Sequence, residues 1–255
     1  MLSGKVAIVT GSSRGIGRAM AIAMGRGGAS VMVTHYREEG ANGEETCKQV
    51  VAAGGKAALS RVDVTKVAEL EHLIAKAVDR FGRLDIMINN AGFETRTGVL
   101  DSSEEDFDQV VAINLRGAFF GTQLAARQMI RQGQGGCIIN ISSIHEEWPM
   151  PGNAPYCSAK AGVGMLTRNA GVELARHGIR VVGVAPGAIA THMNEPVLDD
   201  PEKRRALEES IPAGRIGRPE EVADLVVYLA SEEARYVTAT TVFIDGGMMQ
   251  KSPGL

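Results

Sequence analysis

The feature that most narrows the fold of this chain is a glycine-rich loop caught between an apolar run and a helical one. Val6 to Thr10 has the length and β-branched character of a buried strand, Gly11-Ser12-Ser13-Arg14-Gly15-Ile16-Gly17 follows at once, and Ala19-Met20-Ala21-Ile22-Ala23-Met24 continues as a helix former. Residues without a Cβ let backbone come close to a pyrophosphate, and the N-terminus of the next helix meets its charge. Strand, loop and helix in that order predict a dinucleotide cradle formed by Gly11, Ser13, Arg14, Gly15, Ile16 and Gly17. The spacing is GxxxGxG instead of GxGxxG, so the expectation rests on the flanking elements as much as on the glycines.

Apolar runs of strand length recur along the chain: Val6 to Thr10, Val31 to Thr34, Ala57 to Val62, Leu84 to Asn89, Cys137 to Ile141, Val181 to Ala185 and Thr241 to Ile244. Segments of helical period separate them, among them Val67-Leu70-Ile74-Ala77-Val78-Phe81, whose spacing buries one face. This alternation predicts an α/β fold: a single doubly wound Rossmann-type domain over residues 1–255, with a seven-stranded parallel sheet flanked by helices on both faces. No linker, repeat or low-complexity tract interrupts it. The stretch 187–218, with several prolines and the charged run Asp199 to Arg205, reads as irregular and is expected to be a substrate lid.

An apolar fraction of 44% fills a core of this size, and a net charge of −3 with interspersed signs offers no stripe for nucleic acid and no polybasic tract for a membrane. The apolar run at the N-terminus is too short for a signal peptide, and no later stretch approaches a membrane span. Cys47, Cys137 and Cys157 form neither a disulfide framework nor a metal-spaced pair, so no metal is expected and a cytoplasmic setting fits best.

Of four tyrosines only Tyr156 has a lysine four residues on, Lys160. On a helix both side chains leave one face about a turn apart. A phenol ionises near ~10, and using it as a proton shuttle at neutral pH asks for about 4 kcal/mol, which a cation at ~4 Å supplies at an effective dielectric of ~20. Lys160 is therefore expected to lower the pKa of Tyr156. After the second strand the chain reads Thr34-His35-Tyr36-Arg37, with no acid to hold ribose hydroxyls, and Arg37 and Arg14 both suit a 2′-phosphate. NADP is expected to be preferred, with NAD as the alternative that Glu38 and Glu39 keep open.

Together these constellations resemble the short-chain dehydrogenase/reductase family, over essentially the whole chain. Asp63-Val64 after the third strand and Asn90-Ala91-Gly92 at the end of the fourth stand where the family lines adenine and ribose. Asn114, Ser143 thirteen residues before Tyr156, and Pro186-Gly187 with Ile189 and Thr191 fall in the family's order. The resemblance implies a catalytic set of Asn114, Ser143, Tyr156 and Lys160, in which Ser143 and Tyr156 hold the substrate oxygen, Lys160 holds the nicotinamide ribose and Asn114 holds a water. The reaction implied is hydride transfer between NAD(P) and an alcohol or carbonyl.

Within the family the chain resembles bacterial glucose 1-dehydrogenases, through Asn90 to Glu94, Ser142 to Glu146 with Trp148-Pro149, Pro186 to Ile189 and Phe243 to Met248. His145, Glu146 and Glu94 are polar groups suited to sugar hydroxyls, and the substrate contacts expected are Ser143, His145 and Tyr156. The segments Met150 to Pro155 and Met193 to Leu198 depart from that likeness. The alternatives are a 3-oxoacyl-carrier-protein reductase, which calls for a basic patch beside the site, and a non-catalytic NADP-binding regulator, which would be free to lose Tyr156 or Lys160. Small and apolar residues on several faces of the helices near Tyr156 to Arg176 and Glu220 to Leu229, with the family likeness, imply a homotetramer.

Overall fold

The structure, a computed structural model, describes residues 1–36 and 40–250. Within them seven parallel strands form one sheet: β1 (Val6–Val9), β2 (Ser30–His35), β3 (Lys56–Arg61), β4 (Ile86–Asn89), β5 (Gly136–Ile141), β6 (Ile179–Pro186) and β7 (Thr240–Ile244), in the order β3-β2-β1-β4-β5-β6-β7. Each predicted strand is present, with ends displaced by one or two residues. Helices α1 (Gly15–Arg26), α2 (Gly40–Ala52), α3 (Val67–Phe81), α4 (Glu104–Val111), α5 (Gly117–Gln132), α6 (Ala154–Leu174), α7 (Glu195–Leu198), α8 (Pro201–Ser210) and α9 (Pro219–Ala230) connect them. The stretch 187–218 departs from its sequence reading, because α7, α8 and a 3₁₀ turn at His192–Asn194 occupy much of it. Asp200 caps α8 by accepting from Glu202 N and Lys203 N, and Pro201 supplies a first-turn residue that needs no amide donor.

Both faces of the sheet are covered, which is why its strands read as continuous apolar runs. Successive side chains alternate between two cores. Val9, Val31, Val33, Ile86, Ile88 and Val184 pack toward α1 and α9, whereas Ile8, Met32, Met87, Ile138 and Val181 pack toward α3 and α5. Ala7 pairs with both Val31 and Ile86, so the chain winds outward in opposite directions from β1. The carboxyl ends of β1 and β4 therefore open into a crevice at the switch point, where doubly wound folds place their ligands.

A buried polar knot ties the layer beneath that crevice. Asn89 Nδ2 donates to Asn140 Oδ1 at 2.8 Å and to Thr122 Oγ1 at 3.2 Å, Asn140 Nδ2 donates to Thr167 Oγ1 at 3.0 Å, and Thr167 donates to the Val163 carbonyl. β4, β5, α5 and α6 are thereby joined by side chains with few alternative partners. Gly121 on α5 makes room for the knot, since an added Cβ would collide with Asn89 Oδ1. Helix propensity alone would make Gly121→Ala stabilising by about 0.5–1 kcal/mol. The collision reverses the sign: a net loss of about 1–3 kcal/mol is expected, seen as a lower urea midpoint at unchanged slope, and a higher midpoint would show that the knot yields.

Candidate active site

The switch-point crevice is a cleft of about 1190 Å³. Its floor is stitched by side chains whose donors and acceptors are satisfied within the loops they join. Thr10 Oγ1 accepts from Asn90 N at 2.8 Å and Ala91 N at 3.0 Å, and Asn90 Nδ2 returns to the Thr10 and Gly11 carbonyls at 2.8 and 3.1 Å. Thr34 Oγ1 accepts from Gly11 N at 2.9 Å, and Ser12 Oγ accepts from Thr34 N at 2.8 Å. The loop after β1 is thus pinned to the ends of β2 and β4 before any ligand arrives. Gly17 packs on Gly11 so closely that a Cβ there would collide with the Gly11 carbonyl, while Gly15 takes a φ of +57° at the start of α1. No side chain caps α1. A tight glycine cradle opening onto a helix N-terminus fits the pyrophosphate of a dinucleotide.

Gly11, Ser13, Arg14, Gly15, Ile16, Gly17, Asp63, Val64, Asn90, Ala91, Gly92, Asn114, Ser143, Tyr156, Lys160, Pro186, Gly187, Ile189 and Thr191 all line this cleft, drawn together from seven stretches of chain. Arg37, with Glu38 and Glu39, lies outside the described residues. His145 is not part of the lining, but its ring stands edge-on to the Tyr156 ring at 6.4 Å. Its Nδ1 lies 3.0 Å from the Trp148 carbonyl, which can only accept, so Nδ1 is the donor of that contact. The reading of Glu146 as a group facing sugar hydroxyls is corrected: its side chain is wholly buried against α6. Glu94 is engaged as well, accepting from Asn153 Nδ2 at 2.7 Å and pairing with Arg96 at 2.7 Å.

Tyr156 and Lys160 sit in the first two turns of α6, which begins with Pro155 in its opening turn. The helix brings them together as their spacing requires, with Lys160 Nζ 5.4 Å from the centroid of the phenol ring. The ammonium donates to the Ile141 carbonyl at 2.9 Å, at the end of β5. Burial pushes the Lys160 pKa down to about 8, with the Glu146 charge opposing the fall. Burial also pushes the Tyr156 phenol above its ordinary range, against a hydrogen bond from Ser143 that pulls the other way. This corrects the expectation that Lys160 lowers the phenol's pKa. The ammonium lies over the ring face and donates to a carbonyl, and burial of the phenol is the largest cause of its shift. The phenol of the free chain is a proton donor near neutrality.

Asn114 occupies a π-helical turn (Ala112–Arg116) between α4 and α5, a local widening that sequence periodicity does not register. Its Nδ2 donates to the Phe93 and Val110 carbonyls at 2.7 and 2.9 Å, and its Oδ1 accepts from Phe93 N at 3.3 Å. Thr10 and Thr34, which hold the cradle, were missed in sequence. Their signal is a threonine at each strand end, intelligible only once β1, β2 and β4 are known to be neighbours. Also unforeseen were Glu104, Glu105 and Asp108, which bring carboxylates to the cleft from α4. Among the described residues no helix is long and apolar enough to cross a membrane, and no three His, Cys, Asp or Glu side chains group as a metal site would.

Comparison with known proteins agrees with this geometry. A family model described as "Enoyl-(Acyl carrier protein) reductase" matches residues 11–249. The chain is 44% identical to 3beta-hydroxysteroid dehydrogenase 1 of Eggerthella lenta, over 97% of this chain and 94% of that protein. It is 40% identical to Glucose 1-dehydrogenase 2 of Bacillus subtilis, over 97% of this chain and 95% of that protein. Among solved structures, acetoin dehydrogenase YohF from Salmonella typhimurium superposes with a TM-score of 0.89 at 39% identity, covering 98% of both chains. Matches of this length and identity, together with the glycine cradle and the Ser143, Tyr156 and Lys160 cluster in one cleft, show that the chain belongs to the short-chain dehydrogenase/reductase family, oxidoreductases that work with a nicotinamide cofactor on CH–OH groups.

Proposed function

We propose that the cleft binds NADP in preference to NAD and interconverts a small alcohol and its carbonyl, with a sugar-type polyol or lactol as the substrate class. The observation that carries this reading is the meeting of Ser143, Tyr156 and Lys160 with the glycine cradle in a single cleft. The bound nicotinamide would supply or accept the hydride. Tyr156 donates its proton to the substrate oxygen in reduction and takes it back in oxidation, while Ser143 hydrogen-bonds the same oxygen and fixes its place. Lys160 is placed to hold the ribose and steady the phenol. The Oδ1 atom of Asn114, with one lone pair left after Phe93 N, suits a water that links Lys160 to solvent. The remaining cofactor contacts are assigned to Gly11, Ser13, Arg14, Gly15, Ile16, Gly17, Asp63, Val64, Asn90, Ala91, Gly92, Pro186, Gly187, Ile189 and Thr191.

The NADP preference rests on the absence of an acid at the tip of β2, where Thr34, His35 and Tyr36 line the cleft, and on Arg14 beside it. The substrate class is supported by His145, whose ring stands edge-on to that of Tyr156 at 6.4 Å, and by a relative named for glucose. Relatives named for glucose, for a hydroxysteroid and for acetoin share only the CH–OH group. The carrier-protein alternative draws no support from α8, whose Lys203, Arg204 and Arg205 pair with Asp200, Glu208 and Glu209.

We assign the lid to residues 187–218, because its ends are clamped by Ala190 N to the Gly217 carbonyl at 2.8 Å and Gly217 N to the Ala188 carbonyl at 2.9 Å, while α8 between them buries no residue. A homotetramer is supported by apolar side chains left outward on the helices, including Met165 and Val172 on α6 and Phe119 on α5. The three free thiols accord with a reducing cytoplasm.

Tyr156→Phe is expected to lower turnover about 10²–10⁴-fold, and near-normal turnover would refute the assignment. In the cofactor-free chain, ultraviolet titration of wild type against Tyr156→Phe should show Tyr156 ionising above the ordinary phenol range; ionisation near neutrality would contradict the burial argument. Steady-state rates with both dinucleotides should give the larger kcat/KM with NADP, and a larger value with NAD would end that preference.

A further inference from the structure

Arg18 follows the last glycine of the cradle and does not line the cleft, yet its guanidinium is engaged with the loop that does. Nε and Nη2 donate to the Ser13 carbonyl at 3.1 and 2.5 Å. Nε also donates to Thr46 Oγ1 at 3.0 Å, and Nη2 to the Asn42 carbonyl at 3.3 Å. Thr46 is wholly buried and its hydroxyl donates in turn to the Asn42 carbonyl at 3.0 Å. One half-buried side chain thus ties the loop after β1 to the first turns of α2, with charged donors that make stronger bonds to a carbonyl than neutral ones do.

The carbonyl that Arg18 holds matters. The peptide joining Ser13 to Arg14 is planar and trans, so fixing the Ser13 oxygen also fixes the direction of the Arg14 N–H at its other end. On the far side of the same Cα, the Arg14 carbonyl accepts from Arg18 N at 3.1 Å. Both peptide groups that flank Arg14 are therefore gripped by Arg18, one by its side chain and one by its backbone. Arg14 gets no such order from a helix of its own. It is the exposed N-cap residue of α1, its backbone is extended with φ −158° and ψ 175°, and its side chain does not cap the helix. With both peptides fixed, the Cα–Cβ bond of Arg14 has one direction in a cleft that Thr34, His35 and Tyr36 also line.

We propose that Arg18 is a positioning residue for cofactor selection: it sets the two peptide groups around Arg14, and through them the direction from which the Arg14 guanidinium meets the 2′-phosphate of NADP. The proposal rests on the NADP reading given above. The seat of the pyrophosphate depends less on Arg18, because Gly11 N donates to Thr34 Oγ1, the Gly11 carbonyl accepts from Asn90 Nδ2, and Gly17 packs directly on Gly11. NAD lacks the 2′-phosphate, so the loss of Arg18 falls mainly on NADP.

The test is calorimetric titration of the full chain with NADP and with NAD. Arg18→Leu removes every side-chain donor, and it is expected to weaken NADP about tenfold and NAD by less than about threefold. Arg18→Lys keeps one charged donor but loses the planar fork that reaches Ser13, Thr46 and Asn42 together. Its ratio of NADP to NAD affinity should fall between those of wild type and Arg18→Leu, and it carries the test if the Leu variant does not fold. In an Arg14→Ala background the same replacements should leave the ratio unchanged, since two residues that act as a unit are not additive. Equal weakening of both dinucleotides, an unchanged ratio, or full additivity with Arg14→Ala would overturn the proposal and leave Arg18 a strut between α1 and α2. Tighter binding of NAD than of NADP by the wild-type chain would refute the NADP reading instead, while the change in ratio on replacing Arg18 still decides the coupling.

Discussion

The burial of Lys160 is the constraint on which the rest of the site depends. An ammonium is costly in a water-poor interior and persists only where its donors are used and its charge is answered. Here the Ile141 carbonyl takes one donor at 2.9 Å and the Tyr156 ring lies beneath the ammonium. The two partners belong to different elements, β5 and the opening of α6. Satisfying one lysine therefore fixes the relative placement of two pieces that carry the chemistry. The Asn89, Asn140, Thr122 and Thr167 knot does the same below them, so α6 is held to the sheet at two levels.

How much of this the sequence disclosed follows from the range over which each interaction acts. Strands buried on both faces announce themselves as unbroken apolar runs, and the crossovers as helical period, so the seven-stranded architecture was legible throughout. The glycine cradle was legible for a similar reason, since Gly11, Gly15 and Gly17 are read within one short loop. Tyr156 and Lys160 share a helix, and spacing alone placed them together. What escaped was whatever depends on distant segments meeting. The threonines at the ends of β1 and β2 gain meaning only from the strand order, and the π-helical turn that carries Asn114 leaves no periodic signature.

Two expectations depart from the structure for one physical reason: proximity becomes effect only after allowance for solvent. Lys160 does stand beside Tyr156, but burial works against the charged form of both groups, raising the phenol and lowering the ammonium. The pair in the free chain is a neutral acid beside a weakened cation, a state suited to delivering a proton. Glu146 was misplaced by similar reasoning. A carboxylate three residues after Ser143 borders the cleft in sequence, yet the tight turn directs it inward to Gly164.

The central claim is that a pyridine ring docks beside the Tyr156 hydroxyl and the Lys160 ammonium in the cleft at the carboxyl ends of β1, β4 and β5. A crystal structure of the full chain grown with saturating NADP tests it most directly. The account predicts the pyrophosphate in the loop from Gly11 to Gly17 and the nicotinamide on the side of the cleft lined by Tyr156 and Lys160. Density for the dinucleotide elsewhere on the molecule, or a nicotinamide directed away from those two side chains, would contradict it.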